Sequence, residues 1–167
     1  MSGFTAKRTV LFSIRPFYAD KILAGQKTVE LRRRFPELGM SGSTAIIYCT
    51  SPVKAIVGSA RIRDVVKLPL STLWKSHGGA ACIAKADFYQ YFSGQDHGFA
   101  IILTGAKTLK GRLTARDMES EFGCESAWGL DADRHTKLLI KREAEGSLLE
   151  AYLQSNSDTK PISAARG

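Results

Sequence analysis

Lys27, Glu30 and Arg32 stand close together in the run GQKTVELRRRF, residues 25–35. A guanidinium presents a planar fork that matches phosphate oxygens or the edge of a guanine, and a carboxylate accepts from the amino group of a cytosine or guanine. The same residue types support catalysis. Lysine and arginine stabilise charge developing on a phosphate while glutamate serves as base, and no metal is needed if a ribose 2′-hydroxyl is the nucleophile. The plainer alternative is a surface salt bridge between Glu30 and Arg32, which contributes little.

Strand alternation decides which side chains can act together. It puts Thr28, Glu30, Arg32 and Arg34 on one face and Val29 and Leu31 on the other, tied to a barrel core. Lys27, just after the Gly25 turn, need not obey the alternation. Arg33 falls with the apolar face, where the strand leaves the barrel. Upstream, RTVLFSI (8–14) reads as a strand, Pro16 opens a helix, and Gly25 ends it. Ser13 and Arg15 close the first strand and lie near the cluster if the two strands are neighbours.

Downstream, AIIYC (45–49) is a short buried strand. Thr50, Ser51 and Lys54 bracket Pro52 in a polar turn, suited equally to a phosphate contact or to an ordinary connection. Residues 53–68 form the longest β-like stretch, with a bend or bulge at Gly58. Short helices follow around Trp74 and over 84–92, then a strand from Gly98 and a helix capped by Thr114. Trp74, Tyr89, Tyr91 and Phe92 offer stacking surfaces for unpaired bases, although core packing is the commoner use of such residues. The element order β-α-β-β-β-α-α-β-α predicts an α+β fold, with a mainly antiparallel sheet curled into a barrel and short flanking helices.

Lys and Arg number 24 against 16 Asp and Glu in 167 residues, a net charge of +8 that favours polyanionic partners, nucleic acid foremost. Cys49, Cys82 and Cys124 have no C-x-x-C spacing and read as reduced thiols. The three histidines are scattered, so no metal site and no cofactor is expected. No apolar run reaches the roughly 20 residues of a membrane span, and no signal peptide is read, which makes the cytoplasm the expected location. The chain divides into a domain at 1–128, a helical extension at 129–154 and a tail at 155–167 with a disordered composition. The extension reads as an amphipathic helix from Lys137 to Leu153. It presents Leu138, Leu139, Leu148, Leu149 and Tyr152 either to the barrel or to a second copy, so the protein is a monomer or a homodimer.

Three blocks occur in a familiar order: SIRPFYADKILAGQKTVELRRR, SPVKAIVGSARI and IAKADFYQYFSGQDHGFAI. Together they resemble the ASCH domain, a PUA-like β-barrel family, over about Thr9 to Phe122. The resemblance implies an RNA-related role and a cleft between the barrel and the first helix. Ser13, Arg15, Lys27, Glu30, Arg32, Arg34, Ser51, Lys54, Trp74 and Tyr91 are then the candidate ligand-binding residues for RNA, a nucleotide or a modified nucleoside. Regulatory binding is the first reading. The second is hydrolysis, with Lys27, Glu30 and Arg32 as the catalytic set of a ribonuclease. A branch of the family removes acetyl groups from modified cytidine. Lys27 and Arg32 match that branch, but its threonine is replaced here by Glu30, and Thr28 lies two positions too early to substitute.

Overall fold

The computed structural model describes residues 9–37, 39–114, 116–117, 125–127, 136–140 and 155–158. β1 (Thr9–Ile14) is a β-branched, apolar run, and Pro16 opens helix α1 (Pro16–Leu23) with its φ already set for a helix. The end of α1 is a Schellman turn. Gly25, at φ +74°, donates to the Ile22 carbonyl at 3.0 Å, and Gln26 donates to the Lys21 carbonyl at 2.9 Å. This turn delivers the chain into β2 (Val29–Arg32).

β3 (Thr44–Cys49), β4 (Ala55–Pro69), α2 (Leu70–His77), α3 (Lys85–Tyr91) and β5 (His97–Leu113) follow. β6 (Glu125–Ala127), β7 (Thr136–Ile140) and β8 (Ser157–Asp158) complete the described elements. Thr114 and Asp117 form a reciprocal cap beyond β5, with bonds of 2.8 and 3.2 Å, as the sequence expects of Thr114. The Thr114 amide, then its hydroxyl, hold the Asp117 carboxyl below its ordinary range.

The strands form one mixed sheet in the order β2-β5-β4-β3-β1-β7-β6, with β8 beside β5, and it curls into a half-barrel. The β1–β3 pair is parallel and the other pairs are antiparallel. This is the expected α+β, PUA-like architecture. Register shifts near Gly58, Ser59 and Ile62 help the long β4–β5 pair to coil.

Two apolar cores lie on opposite faces of the sheet. Inside the curl, Val10, Phe12 and Ile14 of β1 pack with Ala45 and Ile47, Ile62, Phe99, Ile101, Phe35 and Met40. On the outer face, α2 and α3 press Leu73, Phe88 and Phe92 onto Val29, Leu31 and Ala100. Val29 and Leu31 therefore anchor β2 to this outer core, where the sequence expects the barrel interior. All four residues of β2 are buried, so alternation alone does not tell its inner face from its outer one.

The free edge of β2 is covered as well. Ala80 O accepts from Val29 N, and Leu31 O accepts from the Tyr91 hydroxyl at 3.5 Å. Such cover suppresses pairing with another chain.

Thr136–Ile140 is a strand antiparallel to β1, although the sequence expects helix from Lys137 onward. Leu138 and Leu139 thus sit in a sheet ladder beside Val10 and Thr9, a long-range pairing that helical periodicity does not register. Residues 141–153 of the expected helix lie outside the described residues. Ser157–Asp158, within the segment expected to be disordered, pairs with Leu109 and Thr108 of β5.

Gly58 seats α1 on the sheet. A Cβ there would strike the Lys107 carbonyl oxygen and approach Leu23 Cδ2 to 2.5 Å. Gly58→Ala should therefore cost about 1–3 kcal/mol in urea unfolding, because a backbone carbonyl cannot swing aside as a side chain can. A midpoint equal to wild type would show that β4 relaxes freely at its bulge.

Candidate functional site

The Schellman turn fixes the start of the cluster. Lys27 leaves it buried, at 5% exposure, and its ammonium meets three acceptors: Val29 O at 2.7 Å, Ala81 O at 2.9 Å and Glu30 Oε2 at 3.3 Å. An ammonium has three donors, so these partners occupy its capacity. The Tyr18 ring lies 5.3 Å from Lys27 Nζ, in reach of a cation–π contact.

Glu30 is held from both sides. Its second oxygen, Oε1, is 3.2 Å from Arg32 Nη2, which also lies 3.5 Å from the Ser13 carbonyl, and the Arg32 guanidinium stands 5.1 Å from the Phe12 ring. Glu30 and Arg32 are 8% and 4% exposed. The group is therefore a buried Lys–Glu–Arg relay on the inner face of the half-barrel, not the surface bridge of the plainer reading. An ionised carboxylate has about four acceptor sites. The ion pairs to Lys27 and Arg32 leave Glu30 capacity for a further donor.

The other sequence candidates separate into groups. Ser13 lies between the core residues Phe12 and Ile14, so its side chain belongs to the opposite face from theirs. Its backbone carbonyl is what reaches Arg32. Its partner in register on β3 is Tyr48, also half-buried. Arg15 is exposed, and its carbonyl accepts the first amides of α1.

Ser51 and Lys54 are exposed in the turn after β3, which contains a cis Ser51–Pro52 bond. Thr50 N donates to Ile14 O at 2.9 Å, and this tie sets the turn beside Arg15. Arg34 is exposed one residue past the strand's flank, and Thr28 is exposed just before β2.

Trp74 and Tyr91 are not with this cluster. Both pack against the outer core under α2 and α3, Trp74 against Phe88 with ring centroids 5.3 Å apart. Tyr91 carries the Arg33 guanidinium at 4.7 Å from its ring. They lie across the sheet from Glu30 because α2 and α3 dock on the Val29–Leu31 face, and a sequence pattern does not say which face a helix covers.

Tyr18 is the site residue that the sequence reading passes over. It stands one helical turn from the buried Ile22, and that spacing is the signal that would have found it. Cys49 lies in the inner core, where burial foremost and the Asp20 charge second push its thiol above the ordinary 9.0. That makes it a poor nucleophile. Among the described residues, no three His, Cys, Asp or Glu side chains gather as a metal-binding group, and no helix is long and apolar enough to cross a membrane.

Comparison with known proteins places this geometry in a family. The ASCH domain model matches residues 12–97. A Zymomonas mobilis subsp. mobilis protein named an ASCH domain-containing ribonuclease is 33% identical over 110 residues, which are 66% of this chain and 74% of the relative. The crystal structure of ASCH from Zymomonas mobilis superposes with a TM-score of 0.70 at 25% identity, covering 86% of this chain and 94% of that one. A tyrosine-to-phenylalanine mutant of the Zymomonas protein superposes at 0.71 with 24% identity, covering 87% of this chain and 98% of that one. The matched residues hold α1, its Schellman turn and the entire Lys27–Glu30–Arg32 relay, and the chain belongs to the ASCH domain family.

Proposed function

We propose that this protein binds RNA, taking an unpaired nucleotide at the inner-face relay, where Glu30 accepts from the amino group of the base. The observation that carries this reading is the relay itself. Glu30 is held in place by Lys27 at 3.3 Å and Arg32 at 3.2 Å, yet keeps acceptor capacity. A buried carboxylate fixed between two cations is a preorganised acceptor that loses little freedom when it meets a base. Lys27 in this arrangement positions Glu30 and does not itself reach a phosphate. Arg15, Arg34, Ser51 and Lys54, all exposed, supply the contacts to the backbone, and the +8 charge draws the polyanion in.

The test is a salt titration of a labelled single-stranded RNA. About three neutralised phosphates give a log–log slope near −2. A flat response contradicts the proposal.

RNA cleavage is the second reading, favoured by the name of the Zymomonas relative, a ribonuclease. Glu30 would then be the acid–base group and Arg32 the stabiliser of charge on the phosphate. Incubating RNA with the protein in the presence of a chelator checks it. Cleavage that a 2′-deoxy substitution abolishes supports the reading, and intact RNA leaves binding as the activity.

A further inference from the structure

We propose that Phe17 is the stacking platform for a second nucleobase, next to the one held at Glu30, so that the site reads a single strand and not a lone nucleoside. This rests on the RNA reading above. Phe17 is 61% exposed, and among the described residues only one other large apolar side chain, Tyr89, is counted as exposed, at 41%. Single exposed aromatics are ordinary. What sets Phe17 apart is its surroundings.

Phe17 adjoins Tyr18, the aromatic neighbour of the relay. Its ring meets Tyr18 edge-on at 5.1 Å between centroids, and Tyr18 in turn lies 5.3 Å from the Lys27 ammonium that holds Glu30. Cations flank it. Lys21 Nζ stands 4.9 Å from the Phe17 centroid, one helical turn along α1. Arg15, exposed, is two residues before it, and the Thr50–Ile14 bond brings the exposed Ser51–Lys54 turn to the same end of α1.

An exposed aromatic ring among lysine and arginine residues is the arrangement that single-stranded nucleic acid uses. A base stacks on the π-face while its phosphates meet the cations. The strand then runs from the relay at Glu30, over Phe17, toward Lys54.

The test compares a ribonucleoside monophosphate with a single-stranded RNA octamer on wild type, Phe17→Ala, Phe17→Leu, Phe17→Trp and Glu30→Gln. Loss of one base–aromatic stack weakens the octamer about 5- to 100-fold in Phe17→Ala and Phe17→Leu, and Phe17→Trp restores it. The monophosphate, which meets only the Glu30 position, binds equally to all the Phe17 variants. Octamer affinity unchanged in Phe17→Ala, or retained in Phe17→Leu, overturns the stacking role. If Glu30→Gln binds both ligands like wild type while Phe17→Ala loses the octamer, the Glu30 reading fails and the platform stands. A wild type that binds neither ligand overturns both.

Discussion

Lys27→Met should lower the unfolding free energy by about 3–5 kcal/mol, the range for breaking a buried ion pair by removing one partner. Methionine fills much the same volume, so the loss is electrostatic and not a cavity. It strips the Val29 and Ala81 carbonyls of a donor they share at 2.7 and 2.9 Å, and removes one of the two cations paired with Glu30, leaving Arg32. Each buried acceptor left without its donor costs about 1–3 kcal/mol by itself. Lys27 also ties the start of β2 to Ala81, beyond α2, so its loss should loosen that junction first. Urea unfolding measures the total. A change under about 1 kcal/mol would mean that the relay behaves as an exposed bridge.

Glu30→Gln should cut affinity for single-stranded RNA by about 10- to 100-fold, the equivalent of one hydrogen bond to a charged group. Glutamine keeps the shape and one acceptor oxygen but turns a donor toward one of two cations that now lack their counter-charge. Stability falls too, by about 2–5 kcal/mol. Binding is therefore compared where circular dichroism shows both proteins folded. Equal affinity would remove Glu30 from the ligand and leave the relay a structural strut. The two substitutions separate cleanly, since Lys27 supports the acceptor and Glu30 is the acceptor.

Much of the scaffold is legible in the chain because it is written in local signals. Pro16 and Gly25 bracket α1 through fixed φ and a left-handed turn, and alternation correctly opposes Glu30 and Arg32 to Val29 and Leu31. The order of strands and helices through Thr114 follows the apolar runs. What is not legible depends on contacts distant in sequence. Ala81 lies 54 residues from the Lys27 it buries, and nothing near Lys27 announces that partner. The docking of α3 on the outer face, which carries Tyr91 away from the cluster, is likewise a choice between two apolar surfaces. The β1–β3 pair is parallel, and β7 joins β1 from the far end of the chain. In that strand, pairing overrides the helical pattern of the leucines.

The central claim is that a nucleotide binds at the Lys27–Glu30–Arg32 relay. An NMR amide titration with cytidine and guanosine monophosphates tests it most directly. The account predicts shifts concentrated at Tyr18 and at residues 27–32, with the Tyr91 and Trp74 surface unchanged. Shifts confined to that outer face, with Glu30 silent, would contradict it.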